Sequence, residues 1–149
     1  MGCRIAGEMQ RIVLDISVVA AGFRSRNGAG HVILGWIAER LLVPLLTPAL
    51  FLEYEDVLKR PERLRSSGLT VGQVDQRLAA LASAAESVSV HYVWRPQLPD
   101  PGDELVFEAA VNGRADALVT YNVRDFVGAA SRFGLRIARP VEVIEERTR

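Results

Sequence analysis

Cysteine, histidine and lysine are almost missing from this chain. Cys3 is the only cysteine, which excludes an internal disulfide and argues against thiol catalysis. His31 and His91 are the only histidines, too few for a zinc site and without the partners a histidine general base needs. No serine has an evident His–Asp set beside it. A phosphate-cradling loop is missing too, because Gly28-Ala29-Gly30 is not followed by Lys and Ser/Thr. No apolar run is long enough to cross a bilayer, and Met1 to Gln10 lacks the apolar stretch of a secretory signal. The chain therefore reads as soluble and cytoplasmic, with no membrane partner. Net charge is zero, from 18 basic and 18 acidic residues, which argues against tight nonspecific DNA binding.

What is present is apolar and arginine-rich. Hydrophobic residues make up 49% of 149 positions, enough for one self-sufficient core. Lys59 is the only lysine, so nearly every cation is an arginine, whose planar fork suits phosphate. A GC-rich coding sequence gives the same bias. Residues 1–10 read as a flexible extension and 11–149 as a single domain. Short branched-apolar runs at Arg11 to Asp15, Val43 to Leu46, Val88 to Trp94, Ala117 to Thr120 and Leu135 to Ala138 predict strands.

Helical spacing separates those runs. It predicts helices over Ala29 to Arg40, from Pro48 until Pro61, over Thr70 to Ser87, Asp103 to Asn112 and Val123 to Phe133, and from Pro140 onward. Thr47-Pro48 has the form of an N-cap followed by proline at N1, and Thr70 with Gln73 that of a capping box. Ser17 is expected to cap the first helix, and Gly113 to end the helix before it. Alternating strand and helix predict a parallel sheet with helices on both faces.

Four acidic residues stand beside the apolar runs: Asp15, Glu53, Asp103 and Asp125. Strand ends of an open α/β sheet gather at one edge, where such sheets bind ligands. Carboxylates that converge there without basic partners repel one another, and a divalent cation relieves them. That combination points to metal-dependent phosphate chemistry. Each acid also has a competing structural role. Asp15 suits an N-cap, Glu53 an ordinary helix surface beside the Leu50, Tyr54, Val57 and Leu58 stripe, and Asp103 a helix first turn. Asp100 suits an N-cap before Pro101. Thr120, Asn122 and Asp125 offer a hydroxyl, an amide and a carboxylate in one turn, or else cap it locally. Arg124 can meet a phosphate, and Arg24 and Arg26 in the loop before Gly30 are further candidate RNA contacts. Tyr121 is placed to stack on a base.

Four segments in order resemble the PIN-domain family, in its bacterial branch of toxin components of toxin–antitoxin systems. They are Arg-Ile-Val-Leu-Asp15, Leu-Thr-Pro-Ala-Leu-Phe-Leu-Glu53-Tyr, Asp100-Pro-Gly-Asp103-Glu-Leu-Val-Phe-Glu-Ala-Ala and Ala-Asp-Ala-Leu-Val-Thr120-Tyr-Asn122-Val-Arg-Asp125-Phe. The resemblance implies a three-layer α/β/α sandwich around a mainly parallel sheet. It implies endoribonuclease cleavage with Mg2+ or Mn2+, in which metal-activated water attacks a phosphodiester. Asp15, Asp103 and Asp125 would hold metal, and Glu53 would complete the catalytic set. Ser17, Thr120 and Asn122 would support it. It further implies an RNA substrate, a cognate antitoxin and a homodimer.

The chain departs from that pattern in two places. Relatives usually read Asp-Thr-Asn where this one reads Asp15-Ile16-Ser17, and Gly102 stands where another aspartate is common. The alternative expectation is therefore a degenerate PIN module that binds RNA or a protein without cutting. A different α/β phosphohydrolase would need a second acid two residues after the first, and position 17 is serine.

Overall fold

The computed structural model describes residues 9–91 and 97–148. Most of the expected extension therefore lies outside the described residues. The chain runs β1 (Gln10–Leu14), α1 (Ile16–Arg24), α2 (Ala29–Ala38), β2 (Leu42–Leu46), α3 (Pro48–Leu58), α4 (Pro61–Ser67) and α5 (Val71–Ala84). It continues through β3 (Glu86–Ser87), α6 (Pro101–Gly113), β4 (Ala117–Val119), α7 (Val123–Phe133), β5 (Ile137–Ala138) and α8 (Pro140–Thr148). Among the described residues every strand pairing is parallel, and the sheet order is β3-β2-β1-β4-β5.

That order follows from the chain's direction of travel. From β1 through β2 to β3 the chain steps one way across the sheet, so right-handed crossovers put α1 to α5 on one face. From β3 it returns past β1 to β4 and β5, which puts α6 and α7 on the other face. The result is the expected three-layer sandwich. β1 is the central strand, and Ile12, Val13 and Leu14 are all fully buried, as a strand covered on both faces requires. The reversal of direction leaves a topological switch point between the carboxyl ends of β1 and β4, where such sheets bind ligands.

Local chemistry sets most boundaries. Thr47 Oγ1 accepts from Leu50 N at 3.0 Å and caps α3, with Pro48 in its first turn. Thr70 and Gln73 form the reciprocal capping box of α5. Asp100 caps α6, its Oδ1 accepting from Gly102 N at 2.7 Å and Asp103 N at 3.2 Å. Pro61 stops α3 and also opens α4, a short helix that the sequence reading did not anticipate.

Three expectations are corrected. Gly113 does not provide the left-handed stop of α6. That conformation falls to Arg114 at φ 52°, while a Cβ on Gly113 would meet Leu45 Cδ1 at 2.9 Å and Val88 Cγ2 at 3.0 Å. Gly113 is small for packing, not for turning. The strand expected over Val88 to Trp94 pairs earlier, at Glu86–Ser87 opposite Leu45–Leu46, and 88–91 are not strand. Positions 92–94 lie outside the described residues. Glu86 is held there by a bidentate pair with Arg11, at 3.0 and 2.6 Å, and Arg11 also donates to the carbonyls of Gly113 and Arg114. Ser17, third, does not cap α1, as its hydrogen bonds below show.

α1 and α2 touch through glycine. A Cβ on Gly30 would lie 2.9 Å from Val18 O and 3.0 Å from Gly22 N, both backbone atoms that cannot swing away. Gly30→Ala should therefore push the two helices apart and destabilise the protein by about 1–3 kcal/mol. Urea unfolding checks this, with Gly35→Ala, which meets nothing within 4 Å, as the control.

Candidate functional site

Asp15 and Thr120 are brought together by strand register. Leu14 of β1 pairs with Val119 of β4, so the next residue on each strand stands side by side at the carboxyl edge. The ladder continues there, with Asp15 N donating to Val119 O at 2.9 Å. Asp15 is only 2% exposed and Thr120 is fully buried. Asp15 precedes α1, yet its side chain makes no capping bond, which removes the competing helix-cap role.

Its Oδ2 instead accepts two hydroxyl hydrogen bonds, from Ser17 Oγ and from Thr120 Oγ1, each at 2.7 Å. Both are short, well-formed O–H···O bonds. Ser17 Oγ further accepts from Tyr121 N at 3.4 Å, and Thr120 Oγ1 from Asn122 N at 2.8 Å. These bonds fix the carboxylate in one rotamer. Oδ1 accepts nothing from the described residues and is left to the cleft. Beneath it, the Tyr54 hydroxyl donates to the Leu14 carbonyl. Burial first, then the charge of Asp15, raises the Tyr54 pKa, so this hydroxyl keeps its proton.

Asp103 occupies the first turn of α6, half-buried. Its pKa is pushed up to about 7, by burial and then by the charges of Asp15, Asp100 and Asp125. These carboxylates therefore face one another electrostatically across the edge of the sheet. Among the described residues, no basic side chain forms an ion pair with Asp15, Asp103 or Asp125. Asp125 lies on the first turn of α7 and is exposed.

Glu53 stands a step aside. Its Oε2 is 2.8 Å from where a Cβ of Gly102 would be, with Asp100 Oδ1 3.1 Å from the same point. Glu53 thus lies against the first turn of α6. A side chain at position 102 would displace the end of the flexible Glu53 side chain. Arg124 is exposed beside Asp125. Arg24 and Arg26 lie at and beyond the far end of α1, a nine-residue helix that spans about 13 Å, so the fold does not gather them with the acids.

Two contributors were not singled out from sequence. Tyr54 reads in the sequence as one member of an apolar stripe; the signal is a tyrosine where phenylalanine would fill the space, since a buried hydroxyl needs a partner. Glu104 reads as a first-turn acid but is 6% exposed. Its Oε1 accepts from Gln97 N at 3.0 Å and Leu98 N at 2.8 Å, fixing the loop that leads into Asp100, while Oε2 is buried with no hydrogen-bond partner among the described residues. No local pattern announces that role.

All donors at the edge are hard oxygens, the set that Mg2+ or Mn2+ prefers. Among the described residues, no three acidic, histidine or cysteine side chains close into a metal shell of their own. An octahedral cation held by one or two carboxylates, with water and substrate oxygens completing it, still suits this donor set. The mutual repulsion centred on Asp103 is what such a cation relieves.

Fold and site define an α/β protein with an acidic cleft at the switch point of a parallel sheet. The sequence profile of the PIN domain matches residues 11–124, and the chain belongs to that family. PIN domains are generally nucleases that use divalent metals and act on RNA. The match spans Asp15, Glu53, Asp103, Thr120 and Asn122 and ends one residue short of Asp125. No curated protein matches the chain significantly. Among the described residues, no helix is long and apolar enough to cross a membrane.

A pH dependence follows for the metal-free protein. The Asp103 proton is held more tightly in the folded than in the unfolded state, since its pKa rises from 3.8 to about 7. Its stabilising contribution is full below the ordinary value and is lost as pH rises through about 7. In EDTA, Asp103→Asn should raise Tm at pH 8 by at most a few degrees, because the half-exposed group is screened. The gap should close toward pH 4. A variant no more stable than wild type at pH 8 contradicts the repulsion.

Proposed function

We propose that the chain is a divalent-metal-dependent endoribonuclease whose catalytic centre is the cleft between β1 and β4. The observation that carries this reading is the double hydroxyl clamp on Asp15 Oδ2. A buried carboxylate held this firmly, with its second oxygen left to an acidic cleft, is prepared to ligate a cation. Asp15 and Asp103 would hold Mg2+ or Mn2+, and Asp125 would bind it or one of its waters. When bound, the cation supplies Lewis acidity toward a phosphodiester and toward water.

The chain's own residues do the rest. Ser17 and Thr120 keep the Asp15 carboxylate oriented by donating to it. In the metal-free cleft Asp103 has a pKa pushed up to about 7, so it must give up its proton to ligate a cation. Glu53, beside Gly102, adds negative charge at the margin of the cleft and completes the catalytic set. Arg124 receives a backbone phosphate, with Arg24 and Arg26 left to contact more distant parts of the strand.

The departure at Asp15-Ile16-Ser17 is compatible with activity on this reading, because Ser17 supplies a hydrogen bond to Asp15 and accepts one from Tyr121 N. The sequence likeness supports a cytoplasmic toxin of a type II toxin–antitoxin system, working as a homodimer and neutralised by a cognate antitoxin. The second reading, a module that binds without cutting, draws on the lack of a closed three-carboxylate shell among the described residues.

Cleavage of RNA in Mn2+ separates the two. Wild type should cut, Asp15→Asn should lose activity, and Ser17→Ala should lose about 10–100-fold, the usual effect of removing a group that orients a metal ligand. Equal rates for wild type and Asp15→Asn reject the assignment. Binding of RNA without turnover by wild type selects the second reading.

A further inference from the structure

The turn after β4 carries one side chain that the metal reading does not use. Tyr121 is 42% exposed, and it is the only aromatic residue among the exposed large hydrophobics of the described residues. The other described aromatics are buried or half-buried. Its ring makes no aromatic or cation–π contact, and its hydroxyl makes no hydrogen bond, among the described residues.

Its backbone, by contrast, is held on both sides. Thr120 N donates to Ala138 O at 3.0 Å, Tyr121 N to Ser17 Oγ at 3.4 Å, and Asn122 N to Thr120 Oγ1 at 2.8 Å. The same two hydroxyls that clamp Asp15 therefore fix where Tyr121 leaves the chain. The ring is thus held in place at the lip of the acidic cleft and stands open to water. Asn122 and Arg124, both exposed, follow it on the same turn.

We propose that Tyr121 is a stacking platform for one nucleobase of the RNA strand at this cleft, and that it makes the site selective for single-stranded RNA. The inference rests on the nuclease reading above for its substrate and adds to it a base-binding subsite. Every base offers a π-face, so a tyrosine platform accepts any sequence. A base inside a duplex has both faces covered by its neighbours, whereas one in a loop or single strand is free to stack. The flanking cation, Arg124, meets phosphate without regard to strandedness. Discrimination therefore falls to the ring.

The test combines cleavage with a stacking signal. Wild type, Tyr121→Ala and Tyr121→Phe are assayed in Mn2+ on one RNA sequence, free and annealed to its complement. The same substitutions in an Asp15→Asn background are titrated with that strand carrying 2-aminopurine, whose fluorescence falls on stacking. Wild type should prefer the free strand. Tyr121→Ala should lose about 5- to 150-fold on it and abolish the quench, while Tyr121→Phe restores both. Tm should stay unchanged, because the side chain is exposed.

Asp15-dependent cleavage with equal rates on free and annealed RNA, or a quench that survives Tyr121→Ala, overturns the platform and leaves the nuclease reading standing. Failure of Tyr121→Phe to rescue also overturns it, since stacking does not use the hydroxyl. A Tyr121-dependent quench in a protein that cuts nothing upholds the platform and removes the nuclease reading. Absence of both signals removes both.

Discussion

Two hydroxyls donating to one oxygen of Asp15 are the interaction around which the rest of the cleft is arranged. One comes from α1 and one from the end of β4, so the contact exists only when β1 and β4 are paired in register. A slip of one residue would turn every side chain of β1 to the other face of the sheet and remove the carboxylate from the edge. The buried run Ile12-Val13-Leu14 and the buried run Ala117-Leu118-Val119 enforce that register from both faces. Core packing is thus what places the functional oxygen, and the hydroxyls convert placement into orientation.

The electrostatics follow from the same arrangement. Asp100 is committed to capping α6, which brings Asp103 to the helix's first turn and into the field of Asp15 and Asp125. The chain has arginines to spare but pairs them elsewhere: Arg11 with Glu86, Arg60 with Asp56, Arg136 with Glu146. The cleft is left anionic while the opposite edge of the sheet is tied by Arg11 across β3 and the end of α6. Glu104 adds rigidity by holding the backbone at Gln97 and Leu98, so the segment leading to Asp100 is not free to wander. Negative charge concentrated on well-held elements is the physical condition for recruiting a cation.

Much of this is legible in the sequence. The strand ends at Asp15 and Thr120, the caps at Thr47, Thr70 and Asp100, and the parallel sandwich are local or periodic features, and each is found where the sequence predicts it. The role of Ser17 is not legible in the sequence, because a serine after a strand serves equally as a helix cap or as a donor to its neighbour, and only the position of Thr120 decides between them. Gly113 and Arg114 exchanged roles because packing against Leu45 and Val88, which is nonlocal, set where α6 could carry a side chain. The hydroxyl bond of Tyr54 and the burial of Glu104 depend on long-range packing in the same way. Glu53, which the sequence leaves outside the metal-binding set, lies against the first turn of α6 at Gly102 in the fold.

The central claim is that the free oxygen of Asp15 and the carboxylate of Asp103 bind one divalent cation. A crystal structure grown or soaked with Mn2+, with anomalous data collected near the manganese edge, tests it most directly. The account predicts an anomalous peak within about 2.0–2.4 Å of Asp15 Oδ1 and of an Asp103 oxygen, with Ser17 and Thr120 still donating to Oδ2. A peak held by Glu53 and Asp100 without Asp15, or no peak at saturating Mn2+, contradicts it.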